Sequence, residues 1–172
     1  MRKVLSRAAR AALLDRKAFT EAFFDNDAPA DAAIVVASVG ALTYLGWWGR
    51  GLARFSMFGL FESLIGSVVS WLVLAFGAWF AASRLFRSTG RAQTMIALQG
   101  LAALPLLLEA AGGLFAAAGL VWYLAALTVG TMEAADLPTK EAAVSVLIGL
   151  ALAAIARSLA GAPFVVLGGL LG

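Results

Sequence analysis

Long apolar runs separated by short polar breaks fill the chain after residue 31. A bilayer has a hydrocarbon core about 30 Å thick, which a helix crosses in about 20 residues. Five runs approach or exceed that length, at about residues 32–48, 59–86, 92–110, 113–133 and 141–160. The pattern therefore predicts an all-α, polytopic membrane bundle of five transmembrane helices, with residues 32–172 as the transmembrane domain.

The boundary between the third and fourth spans is the least obvious one, because residues 92–132 carry a single charge, Glu109. About forty residues are too many for one span. Glu109 lies just before Gly112 and Gly113, and a glycine pair next to a charge favours a tight turn. We therefore expect a helical hairpin that turns at this point.

The first 31 residues differ from the rest, since they hold eleven of the 23 charges of the chain. At 100° per residue its basic stripe consists of Lys3, Arg7, Arg10 and Lys17, whereas Phe19 and Phe23 lie opposite. This pattern is typical of an amphipathic interfacial helix on an anionic cytoplasmic leaflet. The alternative is a solvated tail that follows the positive-inside rule.

Composition supports the membrane class and narrows the chemistry. The chain is 62% hydrophobic, with a mean hydropathy of +0.92. It contains no Cys and no His, so thiolate catalysis and the usual zinc and haem ligands are excluded. We expect no cofactor, no metal and no enzymatic activity. The basic residues lie in short groups beside the spans, which indicates membrane topology and anionic lipid rather than nucleic acid.

The order of these features resembles the Yip-domain family of small polytopic membrane proteins, named for binding Ypt/Rab GTPases in eukaryotes. The resemblance covers roughly residues 15–160. It is carried by five closely spaced spans and by residues 90–93 (GRAQ), 97–105 (ALQGLAALP) and 139–149 (TKEAAVSVLIG). The N-terminal segment is short and basic, unlike that of eukaryotic members. The resemblance therefore implies a bacterial-type member, in the inner membrane, without a defined biochemical activity.

Ionisable residues inside spans are costly unless they are paired or hydrated. Glu62, Glu109 and Arg157 are the candidates, and residue counting places all three near the outer leaflet. We expect Arg157 to pair with Glu62 or, as second choice, with Glu109; snorkelling of Arg157 to the headgroups is the alternative. Pro105 is expected to kink the third span.

Three functions fit these features. The first is a non-enzymatic membrane organiser or interaction scaffold, with anionic lipid and a protein partner or a second copy of the chain as partners. The second is a small transporter or proton-conducting protein that uses Glu62 and Arg157. The third is an accessory subunit of a larger membrane complex.

Orientation follows from the positive-inside rule. With the N-terminus in the cytoplasm, ten basic residues lie inside and three, Arg50, Arg54 and Arg157, lie outside. We therefore expect the C-terminus to lie outside the cytoplasm. A topology reporter fused after Gly172 should report the non-cytoplasmic side. A cytoplasmic signal would contradict an odd number of spans.

Overall fold

The computed structural model describes the backbone of residues 2–171 and the side chains of residues 3–157. Every regular element in this part of the chain is helical. Seven α-helices and one 3₁₀ helix follow in the order α1 (Arg2–Ala12), α2 (Arg16–Phe23), α3 (Ala28–Gly49), α4 (Met57–Leu85), α5 (Ala92–Leu101), the 3₁₀ helix (Leu104–Ala111), α6 (Gly113–Ala135) and α7 (Thr139–Leu171).

The predicted five-span, all-α membrane fold is confirmed. Five stretches are long and apolar enough to cross a membrane: Ala28–Gly49, Met57–Leu85, Ala92–Ala111, Gly113–Ala135 and Thr139–Arg157. The turn between the third and fourth also lies where the sequence places it. Gly112 and Gly113 adopt φ of 70° and 55°, a region that favours glycine.

The third span is broken rather than bent. Its α-helix ends at Leu101, and a 3₁₀ helix with Pro105 in its first turn completes the crossing. Pro105 has no N–H to donate to the carbonyl of Leu101, so the regular α-helical ladder cannot continue. The backbone instead forms shorter-range bonds, such as that from the Leu106 N–H to the Ala103 carbonyl at 3.0 Å. The predicted kink at Pro105 is thus a change of helix type.

Helices α4 and α7 pack closely along one side of the bundle, and glycine makes this contact possible. A Cβ on Gly77 would lie 3.0 Å from Gly149 Cα, and a Cβ on Gly149 would meet the backbone of Leu74 and Ala78. Small residues let helix backbones approach in a membrane, where dispersion contacts and not water exclusion hold helices together. This contact also sets the register of the two helices.

The N-terminal segment forms two helices instead of the single predicted one. Helix α1 ends at Ala12, and Leu14 adopts a left-handed φ of 60° that reverses the chain. Asp15 then caps α2, because its side chain accepts a hydrogen bond from the Lys17 N–H at 2.9 Å. We call α1, α2 and the connecting residues 13–15 the N-terminal hairpin.

The hairpin shares one core with the spanning helices. Ala8, Ala11 and Phe19 are fully buried in the same cluster as Leu98 of α5 and Leu127 of α6. Helix α1 contacts α3, α5, the 3₁₀ helix and α6, and α2 contacts α5 and α6. The hairpin is therefore a packed part of the bundle.

The close contact at Gly149 gives a stability test. Gly149→Leu should destabilise the protein by about 1–3 kcal/mol, because the larger side chain overpacks against α4. Gly66→Leu, on the same helix as Gly77, is the matched control, since a Cβ there meets nothing within 4 Å. Thermal unfolding in detergent measures both. Equal unfolding temperatures for the two variants would contradict the packing described here.

Candidate functional site

A buried arginine holds the N-terminal hairpin against the bundle. Arg7 is only 5% exposed. Its guanidinium donates to Asp25 at 2.7 Å, in the loop after α2, and to Asp31 at 3.4 Å, in the first turn of α3. A buried charge is costly alone, so the two carboxylates are what permit Arg7 to lie inside. We call these three residues the Arg7 cluster.

Asp25 is the centre of this cluster. It accepts hydrogen bonds from Arg7, from the backbone N–H of Asp27 at 3.1 Å and from the Lys3 ammonium at 3.2 Å. The Arg7 guanidinium, the Asp27 N–H and Lys3 together lower the pKa of Asp25 to about 2. The carboxylate is therefore ionised at all physiological pH values and links α1 to the loop between α2 and α3.

A second group of ion pairs lies toward the turn of the hairpin. Arg10 donates to Asp15 at 2.8 Å and to Glu21 at 3.0 Å, which joins the two helices across the hairpin. Arg16 lies 3.7 Å from the carboxylate of Glu133, near the end of α6. The Arg10 pairs hold the two helices of the hairpin together, and the Arg16 pair holds the hairpin against α6.

The four bases of the predicted lipid-binding stripe therefore have different surroundings. Arg7 is buried and Arg10, which is 36% exposed, is engaged by two carboxylates, whereas lipid binding by the stripe stays a prediction. The cause of the different surroundings is the acidic residues around Arg7 and Arg10, which a single-helix projection places elsewhere. Lys17 is exposed, and Lys3 is 76% exposed although it also contacts Asp25.

The structure does not bring the predicted intramembrane charge pair together. Glu62, Glu109 and Arg157 are all exposed, and no ion pair among the described side chains includes them. Contact between Gly77 and Gly149 explains the mismatch for Glu62. From that contact Arg157 lies eight residues along α7, about 12 Å, whereas Glu62 lies fifteen residues back along α4, about 22 Å.

The backbone around Glu109 binds a different cation. The guanidinium of Arg50, at the end of α3, donates to the carbonyl of Ala110 at 3.0 Å and approaches that of Glu109 at 3.5 Å. These carbonyls lie at the end of the 3₁₀ helix, where the Glu109 carbonyl also accepts from the Gly112 N–H at 3.0 Å. Arg50 thus caps the third span, and a Cβ at Gly112 would collide with its guanidinium.

One buried polar pair crosses the middle of the bundle. Gln99 of α5 is fully buried and donates from Nε2 to Thr131 Oγ1 of α6 at 3.0 Å. Its Oε1 has no hydrogen-bond partner among the described residues. Trp71 of α4 donates to the Ile96 carbonyl at 3.1 Å, so polar contacts from two helices converge on α5. Such bonds orient membrane helices relative to one another.

The described residues contain no group of three or more acidic side chains that could hold a metal ion. Comparisons with known protein families, with curated proteins and with solved structures find no match to this chain.

Sequence reasoning missed Asp25, Asp31 and Gln99. Asp31 had a usable signal, since it is an acidic residue at the first turn of an apolar span and therefore needs a cation nearby. Gln99 had one too, because an amide in an apolar run must find a hydrogen-bond partner. Neither signal identifies the partner, which lies on another helix in both cases.

The pKa of Asp25 predicts acid release of the hairpin. Because that pKa lies below its ordinary value of 3.8, the stabilisation from Asp25 is complete above about pH 4 and is lost as the pH falls toward 2. A spin label on Thr20→Cys, an exposed position of α2, should become mobile over this range.

The matched controls are two conservative variants in the same loop. Asp25→Asn should make the label mobile at neutral pH and remove most of the acid transition, whereas Asp27→Asn should leave both unchanged. A label that stays immobile to pH 2 in the unmodified cluster would contradict this role of Asp25.

Proposed function

We propose that this membrane protein works without enzymatic chemistry, as a membrane organiser and interaction scaffold that gathers anionic lipid at one end of its bundle. The observation that carries the proposal is a group of exposed bases at that end. They are Arg84, Arg87, Arg91 and Lys140. No ion pair among the described side chains uses any of these four, in contrast to the hairpin arginines.

Two contacts support the placement of these bases on a common end. The Ser88 hydroxyl donates to the Ala135 carbonyl at 2.7 Å, which holds the loop between α4 and α5 beside the end of α6. Gly90 lies against Ala134 in the same region. Helix α7 begins four residues after Ala135, at Thr139, so Lys140 belongs to this end too. We call the four bases the basic rim.

Exposed aromatic side chains lie at the end of α2. Phe23 and Phe24 end α2 in an edge-to-face pair 5.1 Å apart, and both are exposed. The following residue is Asp25 of the Arg7 cluster, which lies at the start of the bundle beside α3. Exposed apolar groups and bases at one end of a membrane protein are the combination that binds the boundary between headgroups and acyl chains.

The inner membrane of a bacterium, with the basic rim in the cytoplasm, is part of the same proposal. The positive-inside rule places loops rich in Lys and Arg in the cytoplasm. The cytoplasmic leaflet carries the anionic lipid that such bases attract. The resemblance to Yip-domain proteins agrees with a scaffolding role and remains a hypothesis.

Reconstitution in nanodiscs with and without anionic lipid tests the proposal. The unfolding temperature should rise with the fraction of phosphatidylglycerol, and native mass spectrometry should detect retained anionic lipid. Substituting all four rim bases with Gln should abolish most of both effects, because each base contributes about 1 kcal/mol at low salt. The effect should also weaken at high salt.

Arg54→Gln combined with Arg157→Gln is the control, since it removes bases from outside the rim. It should leave the lipid dependence intact. Topology reporters must show the same orientation for all variants, because rim bases also direct insertion. Equal stability in anionic and zwitterionic nanodiscs for the unmodified protein would overturn the proposal.

A further inference from the structure

The turn of the N-terminal hairpin lies beside the middle of α6, far from the end of that helix at Ala135. The indole N–H of Trp122 donates to the carbonyl of Ala12, the last residue of α1, at 2.6 Å. Trp122 lies thirteen residues before the end of α6 at Ala135, which is about 20 Å of helix. Helical side chains lean toward the N-terminus of their own helix, so this indole points away from the Ala135 end.

The other end of α1 lies near the edge of the bundle. Lys3 and Arg7 bind Asp25, and Arg7 also binds Asp31 in the first turn of α3. Helix α1 therefore runs from the start of α3 toward the middle of the bundle. It extends far enough to contact the 3₁₀ helix at the other end of the third span. Helix α2 returns along α5 and α6, with Phe19 packed against Gly130.

The carbonyls at the end of α1 have partners within the protein. The last four carbonyls of a helix normally lack partners, and such groups are costly in lipid. Here the N–H groups of residues 13, 14 and 15 donate to the carbonyls of Ala9, Ala11 and Arg10, at 3.0 to 3.1 Å. The fourth carbonyl, that of Ala12, is the one that accepts from Trp122. All four carbonyls are satisfied without water.

Most charged side chains near the turn are also paired. Lys17 is exposed and belongs to none of the described ion pairs, so in a re-entrant hairpin its ammonium has to extend to the headgroups. Arg10 is bound by Asp15 and Glu21, and Arg16 extends toward Glu133 near the end of α6. Pairing of this kind, with long side chains directed to the interface, is how ionisable groups are accommodated below the headgroups. At the turn itself the exposed side chains are apolar: Leu13 is 71% exposed and Leu14 is 38% exposed.

We propose that the N-terminal hairpin is a re-entrant element, which enters the leaflet at the Ala135 end of α6 and contacts acyl chains with Leu13 and Leu14. This differs from a helix that lies flat on the membrane surface. It also goes beyond the proposed lipid-gathering function, because it rests on the hairpin and not on the basic rim. The membrane-embedded unit then comprises five spanning segments and one half-crossing hairpin.

Three exposed positions, two on α1 and one at the turn that follows it, distinguish the two arrangements. Ser6, Ala9 and Leu13 are all exposed. The chain has no Cys, so Ser6→Cys, Ala9→Cys and Leu13→Cys each carry one spin label without further changes. In nanodiscs, the ratio of relaxation by oxygen to relaxation by a water-soluble nickel chelate reports depth. A re-entrant hairpin predicts a ratio that rises stepwise from Ser6 to Leu13, over about 10 Å of helix.

Asn26→Cys in an exposed loop gives the aqueous reference, and Leu120→Cys on the exposed side of α6 gives the hydrocarbon reference. The Leu13 label should match Leu120. Equal ratios at all three positions would indicate a flat interfacial helix and overturn the proposal, as would a Leu13 label that matches Asn26. If labelling Leu13 disturbs the turn, the difference between Ser6 and Ala9 decides by the same criterion.

Discussion

The structure depends above all on one constraint: backbone N–H and C=O groups that leave water must find partners within the protein. The constraint is visible wherever a helix stops inside the bundle. After Pro105 the chain forms a 3₁₀ helix, and Arg50 binds the carbonyls at its end. At the hairpin turn, local N–H groups and the Trp122 indole take up the carbonyls that α1 leaves free. Each irregular point is thus closed by hydrogen bonds specific to it.

The same constraint applies to charged side chains, which need partners when they are buried. Arg7 is buried and has two carboxylates, whereas the bases of the rim are exposed and have none among the described ion pairs. Burial without partners would cost several kcal/mol per ion, so only a paired arginine can join the hairpin to the core. Unpaired bases remain at the surface, where anionic headgroups can bind them. Arginine is therefore found in two settings, buried and paired with carboxylates at Arg7, and exposed at the rim, where we propose that it binds anionic lipid.

Close helix approach provides the remaining stability. Gly77 and Gly149 bring α4 and α7 together, and Gly100 leaves room for Trp71 and Ala32 beside α5. Gln99 and Thr131 add a buried hydrogen bond between α5 and α6. Lipid does not drive apolar helix faces together as water does. In a membrane, helices are therefore held together by dispersion contacts and a few polar bonds. Packing therefore depends on small residues at specific positions.

The sequence by itself determined the number of spans, their approximate limits and the turn at Gly112 and Gly113. These features follow from the length of apolar runs and from local backbone preference, which neighbours along the chain decide. Only the tertiary structure decided which charged side chains form ion pairs. Arg7 meets Asp25 and Asp31 because α1 folds back against α3, and Glu62 misses Arg157 because the glycine contact sets the register of α4 and α7. Such pairings depend on which helices become neighbours, and the periodicity within one helix does not show which helices those will be.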